Sequence, residues 1–350
     1  MKFFNIDLHV SVIEDLRNIF ESQGHQIVSW SISGHNWIFD RSATDVKVIN
    51  SKSWKNLDDN KINEFCDIYF DFLKEFDGFV CTYPPAFSLI YERFKKPIIM
   101  QIPIRYEVPF HNKPDQWLKF NDKLRNGIDN NLIFPVANSQ YDKDYFEFFV
   151  NRECDLIPNI CSYTNTSWNP EINRFLYTGR LPLRSDIIVN INELGKYDWS
   201  LVSKFKGIII IPYNCSTMSI FEHYTANIPL FCPSIDFMLE LFQNHKNSVL
   251  SELTWNQTFN LKQGSSIPCE LENDPNMFEN LDVMKKWIQK SDFYNKDWMP
   301  HIVYFDSFED LSYKLSTTNL VEISNSMKSF NVYRKNKINE LWKKKLEKIT

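Results

Sequence analysis

Glycine is scarce in this chain, with 8 residues against 29 phenylalanines in a length of 350. That balance leaves little room for glycine-rich loops and points to large, well-filled cores. No G-x-x-x-x-G-K-[ST] phosphate loop and no G-x-S-x-G elbow occurs, so P-loop and α/β-hydrolase chemistry lack their motifs. Excess positive charge is missing too. The formal net charge of -5 argues against nucleic acid as the main partner, because a duplex binder needs a basic face to displace counterions. No run approaches the roughly 18 apolar residues that span a bilayer, and Asn5, Asp7 and His9 interrupt any export-signal core in the opening MKFFNIDLH. The seven cysteines (Cys66, Cys81, Cys154, Cys161, Cys215, Cys232 and Cys269) are odd in number and scattered, without CxxC or zinc-ligand spacing. Several sit in apolar runs, as reduced core thiols do. A reducing, cytoplasmic setting is the expectation.

What is present is an alternation of short apolar runs with amphipathic stretches. With 43% hydrophobic and 24% charged residues the chain is globular, and its length suits two domains better than one core. Residues 3–8 read as a strand, Val10 to Ser22 as a helix, and residues 26–32 as a second strand. The pattern continues with a helix over 63–76, a strand over 79–83, a helix from Pro85 to Phe94 and a strand over 97–104. Residues 106–131 read as an irregular helical insertion, 132–137 as a strand, 140–149 as a helix and 154–157 as a short strand. Residues 158–173 (PNICSYTNTSWNPEIN) lack periodicity and read as a linker. Alternation then restarts at Arg174, with a possible strand at 186–191. The run GIIIIP at 207–212 has the character of a strand buried on both faces. A helix follows from Ser216 to Ala226, then strands at 228–232 and 302–305, and helices at 308–315 and 321–346, while 244–300 show no clear order. The expected class is α/β, with two Rossmann-like doubly wound domains facing a cleft: residues 1–160, residues 174–325, and a closing helix, 326–350, packing back on the first.

The segment IIIIPYNCSTMSIFEHYTANIPLFCPS, residues 208–234, carries the clearest constellation. A buried strand ends at Pro212, Tyr213, Asn214 and Cys215 turn outward, and Ser216, Thr217, Met218 and Ser219 open a helix. Amides and hydroxyls at a helix N-terminus form a seat for a diphosphate, and a carboxylate at Glu222 can accept both ribose hydroxyls. The plainer alternative is that Ser216 and Ser219 cap the helix and Glu222 is a solvated helix residue.

This segment, with Asn227-Ile228-Pro229-Leu230 after it, resembles the donor-domain signature of GT-B glycosyltransferases. Leu176-Tyr177-Thr178-Gly179-Arg180-Leu181 resembles that domain's opening "YxGRL" strand, and Val136-Ala137-Asn138-Ser139 through Ile157-Pro158-Asn159 resembles the end of the acceptor domain. The resemblance implies a ribose-binding Glu222, a Gly179 that admits close backbone approach, and an Arg180 that reaches the donor phosphates, with Arg184, Lys204 and Lys206 as lesser candidates. The glycine-rich loop that many members carry after the first strand is replaced here by Asp7-Leu8-His9-Val10-Ser11.

At that strand end, the His9 imidazole can take the proton of an acceptor hydroxyl, as an inverting transfer needs. In several GT-B groups a His of this loop is the base. Asp7, two residues away, or Asp15 would orient the ring, and the alternative is a His that caps the helix. On the same rim, Trp37 suits stacking on a sugar, beside Tyr83, Arg105 and Glu107. Arg105 meets a phosphate or acceptor sugar, or else holds Glu107 in a surface ion pair. His25, His111, His223, His245 and His301 read as structural. No D-x-D pair flanks a predicted strand end, Asp58-Asp59 sitting in a polar loop and Asp71 on a helix, so neither metal nor cofactor is expected.

The implied function is transfer of a sugar (hexosyl or pentosyl) from a UDP- or GDP-linked donor to a carbohydrate hydroxyl. A GT-B-like nucleotide-sugar epimerase and a non-catalytic sugar- or nucleotide-binding module are the alternatives. Lys335, Lys337 and Lys343-Lys344-Lys345 on the closing helix read as a solvated face.

Overall fold

The computed structural model describes residues 1–252 and 264–349. The chain divides into two compact units. Unit 1 takes Met1–Asn159 and the end of the chain from Ile338, and unit 2 takes Ile160–Lys337.

Unit 1 is built on six strands: β1 (Lys2–Asp7), β2 (Gln26–Ser31), β3 (Gly78–Cys81), β4 (Ile98–Ile102), β5 (Ile133–Ala137) and β6 (Asp155–Leu156). They form one sheet in the order β2-β1-β3-β4-β5-β6, every pair parallel. β3 and β4 are buried along their whole length, which is why their sequences read as continuous apolar runs. The helix Val10–Ser22 places Val12, Ile13, Leu16, Ile19 and Phe20 in the core, and the chain turns back at Gly24 with φ 79°. The end of the closing helix Leu320–Glu347 belongs here: Trp342 lies edge-on to Phe20 at 5.4 Å, and Lys345 pairs with Asp155 at 2.6 Å.

Three expectations in this unit are corrected. Residues 106–131 contain a regular 16-residue helix, Pro114–Asp129, that buries Trp117, Phe120, Asn121 and Leu124. Its apolar stripe is narrow, and the polar remainder hides it. Pro85 to Phe94 is not one helix but three successive short turns, 85–87, 88–91 and 92–94. The helix expected over 63–76 runs Asp59–Leu73, because Asp58 caps it by accepting from the Lys61 amide at 2.8 Å.

Unit 2 carries β7 (Phe175–Thr178), β8 (Ile188–Asn190), β9 (Ile208–Ile210), β10 (Leu230–Pro233) and β11 (Val303–Phe305), again all parallel, in the order β11-β10-β9-β7-β8. Between β10 and β11 the described chain includes helices Ile235–Asn244 and Leu281–Ile288, and the fully buried Asp274, which accepts from Ser265 and the Asn276 amide. Both sheets are therefore doubly wound α/β sheets of Rossmann-like type. In each, the chain leaves its first strand in one direction and returns to build the other side, so a switch point lies between β1 and β3 and another between β7 and β9. Ligands of such sheets bind outside the carboxyl ends of the strands at these points.

Candidate functional site

At the β7/β9 switch point the structure holds a cavity of about 170 Å³. Thr178 and Gly179 come from the end of β7, Tyr213 from the turn after β9, and Thr217 and Ser219 from the start of the helix Met218–Thr225. Gly179 is required by packing. A Cβ there would stand 2.3 Å from the hydroxyl of Tyr177, whose buried ring curls under the turn and accepts from the Leu181 amide at 3.1 Å. Arg180 lies over the Tyr213 ring at 4.5 Å and donates to Ser251 Oγ at 2.9 Å and to Glu252 Oε1 at 2.5 Å. The helix begins from an extended Thr217 with no side-chain cap, and Thr217 and Ser219 line the cavity, so the positive end of the helix dipole lies beside it.

The helix starts two residues later than the sequence suggested, and the difference sorts the expected donor residues. Gly179, Arg180, Tyr213, Thr217 and Ser219 line the cavity. Asn214, Ser216 and Met218 are buried instead, and Asn214 Oδ1 closes the turn by accepting from the Cys215 amide at 2.8 Å. Glu222 stands one turn further along, where the Tyr163 hydroxyl donates to its Oε1 at 2.6 Å. Tyr163 meets Trp199 edge-on at 5.4 Å. Burial and the Glu222 charge together hold the Tyr197 phenol above its usual pKa. Tyr163, Trp199 and Asn192 were invisible to sequence reasoning, since they lie in aperiodic stretches without a motif. Lys204 and Lys206 precede β9, at the opposite end of the sheet. Lys204 pairs with Glu171 at 2.9 Å and Lys206 lies over Phe175.

At the β1/β3 switch point, Asp7 ends β1 fully buried. Parallel register sets Asn5 opposite Ser29 and Asp7 opposite Ser31. Ser29 Oγ lies 3.1 Å from Asp7 Oδ2 and 2.9 Å from Asn5 Oδ1, and Asn5 is oriented by donating its amide to the Val80 carbonyl at 2.9 Å. Burial, the largest influence, raises the Asp7 pKa from 3.8 to about 7, against the lowering effect of hydrogen bonds from Ser29, Ser31 and the His9 amide.

That raised value has a consequence for stability. Between pH 3.8 and 7 the unfolded chain loses the Asp7 proton while the folded chain keeps it, so this group's contribution to stability falls as pH rises through that window. Asp7→Asn keeps the shape and removes the titration. Urea unfolding should show the variant gaining on the wild type by about 2–4 kcal/mol between pH 4 and pH 8. A pH-independent difference would contradict a protonated, buried Asp7.

His9 holds the N-cap position of the helix Val10–Ser22 but makes no side-chain cap. Its ring stands edge-on to Tyr83 at 6.5 Å, and Nδ1 is without a hydrogen-bond partner among the described residues. Burial, with the neighbouring His35 charge second, lowers its pKa to about 4, so the imidazole is neutral at pH 7. Asp7 reaches residue 9 through the backbone amide, and Asp15 accepts from Asn159 at 2.9 Å. Tyr83 continues to Trp54 at 6.1 Å, and Trp37 is 49% exposed. Arg105 and Glu107 leave the rim: both are fully enclosed, and Glu107 accepts from the Tyr145 hydroxyl at 2.7 Å. No three His, Cys, Asp or Glu side chains cluster as metal ligands among the described residues.

No protein-family model matches the chain, and no curated protein sequence does. Solved structures do resemble it. They are glycosyltransferases. SnogD from Streptomyces nogalater is 10% identical, with 97% of this chain and 98% of that one covered at a TM-score of 0.46. The kitacinnamycin glycotransferase is 8% identical over 98% of each chain, TM-score 0.45. The spinosyn rhamnosyltransferase SpnG is 8% identical over 94% and 95%, TM-score 0.42. Similarity this low carries no argument about chemistry, which rests on the site.

Proposed function

We propose that this chain is a glycosyltransferase of GT-B type, moving a sugar from a nucleoside-diphosphate donor to a carbohydrate hydroxyl. The observation that carries the reading is the β7/β9 cavity. There an uncapped helix N-terminus, a glycine turn, a guanidinium and two hydroxyls meet at the switch point, with a carboxylate one helical turn away. The diphosphate sits against the amides of residues 217–219 and draws Arg180 from its exposed pairing with Glu252. Glu222 accepts the ribose hydroxyls, and Tyr163 fixes its orientation.

Charge that develops on the leaving diphosphate is met by the helix dipole and Arg180 without a required metal. In unit 1 the acceptor lies near His9, Tyr83 and Trp37. His9, neutral at pH 7, takes the proton from the attacking hydroxyl, and the transfer inverts the anomeric centre. Asp7 shapes the strand end through the His9 amide. The donor carries UDP or GDP and a hexose or pentose. The absence of a disulfide among the seven cysteines suits a reducing cytoplasm.

The test is a thermal-shift panel of nucleoside-diphosphate sugars, with and without Mg²⁺ or Mn²⁺. At 100 times the dissociation constant a bound donor stabilises by about 2.7 kcal/mol, so a shift of several degrees is expected, independent of metal. No shift with any donor would reject the reading. Epimerised sugar nucleotide formed without an acceptor would turn it toward an epimerase.

A further inference from the structure

Unit 2 holds a second recess, of about 440 Å³, whose lining shares no residue with the β7/β9 cavity. One wall is the closing helix, where Lys328, Asn331 and Lys335 are spaced three and four residues apart and so share a face. The facing wall is the stretch 160–167, which contributes the hydroxyls of Ser162 and Thr164. Arg334 forms the floor. It is 1% exposed, donates to Thr225 Oγ1 at 3.0 Å and Asn331 Oδ1 at 3.3 Å, and lies over the rings of Tyr224 at 5.4 Å and Phe221 at 5.8 Å.

The electrostatics of this recess are one-sided. No Asp or Glu is among the residues that line it. Lys328 and Lys335 make no ion pair among the described residues, and the hydroxyls of Ser162 and Thr164 make no hydrogen bond there. Two lysines that point into a hollow with an arginine beneath them raise the local potential, and a hollow concentrates that field more than a flat face does. The chain as a whole is acidic, so this patch is not the spill-over of a basic surface. Serine, threonine and asparagine around it offer donors and acceptors in the mixture that hydroxylated ligands use.

We propose that this recess binds a phosphorylated polyhydroxy compound, such as a sugar phosphate. The phosphate is held by Lys328 and Lys335 over Arg334, through charge-assisted hydrogen bonds, and the hydroxyls by Ser162 and Thr164. The site is separate from the proposed donor seat and does not depend on that reading.

The test is calorimetric titration of the full-length protein at low ionic strength with glucose 6-phosphate, inorganic phosphate and glucose. The comparison is with the double variant Lys328→Gln/Lys335→Gln. Both lysines are exposed, and glutamine matches lysine in helix propensity, so the fold is kept. Glucose 6-phosphate should bind more tightly than either fragment, and the double variant should weaken both phosphates by about tenfold or more. Equal affinity in wild type and double variant overturns the proposal. So does loss of binding in Arg180→Ala, which would move the ligand to the other cavity. Binding to phosphatidic acid vesicles without binding to the soluble phosphates also overturns it, in favour of a lipid surface.

Discussion

His9→Ala lowers kcat by about 10²–10⁴-fold, the span over which positioned general bases act, and leaves donor KM near the wild-type value. The position of the ring is set by the fold: β1 ends at Asp7 and the next helix begins at Val10, so residue 9 is fixed from both sides. Its Nδ1 is buried without a hydrogen-bond partner among the described residues. The low pKa adds a second signature. Because burial lowers the value to about 4, the basic form persists through the neutral range and is lost only in acid. The acid limb of wild-type kcat/KM should therefore fall near pH 4 and vanish in the variant. A wild-type kcat in His9→Ala would remove it as base. A limb near 6.5, the ordinary histidine value, would mean that another group titrates.

Glu222→Ala raises donor KM by about ten- to hundredfold with little change in kcat, because it removes a charged acceptor worth about 1.5–3 kcal/mol from a part of the donor that does not react. The Tyr163 hydroxyl bond at 2.6 Å allows this role to be separated from a structural one. Tyr163→Phe loosens Glu222 but leaves its charge, so donor KM should move less than in the alanine variant. An unchanged donor KM in Glu222→Ala would end the ribose assignment.

Most strands were legible because parallel sheets bury both faces, and GIIIIP or FVC can hardly be anything else. The helix Pro114–Asp129 reads only as an irregular helical insertion, since its buried Trp117, Phe120 and Leu124 are diluted by charged and amide residues. That Gly179, Arg180, Tyr213, Thr217 and Ser219 come together around one cavity follows from local features, strand ends and helix starts. The fate of individual side chains was less legible. Ser216 and Asn214 look like surface groups beside Thr217 and Ser219, yet the turn after β9 folds them inward. Arg105 and Glu107 follow a strand end, as rim residues do, but the chain covers them. Asp7 was visible as a strand-end carboxylate, whereas its raised pKa comes from complete burial, against the lowering effect of Ser29 and Ser31, a long-range property that no local window contains.

The resting contact of Arg180 with Glu252 gives the β7/β9 cavity a threshold. Both side chains are substantially exposed, at 45% and 38%, and such pairs are worth about 1 kcal/mol or less. A ligand that recruits Arg180 must outcompete a carboxylate already in place, at a loss of no more than about fivefold in affinity. A diphosphate offers more charge than the carboxylate and passes this threshold easily. A carboxylate offers no advantage over Glu252, so an anion of that kind gains little by displacing it, whereas the pair adds only a small cost to the binding of a diphosphate.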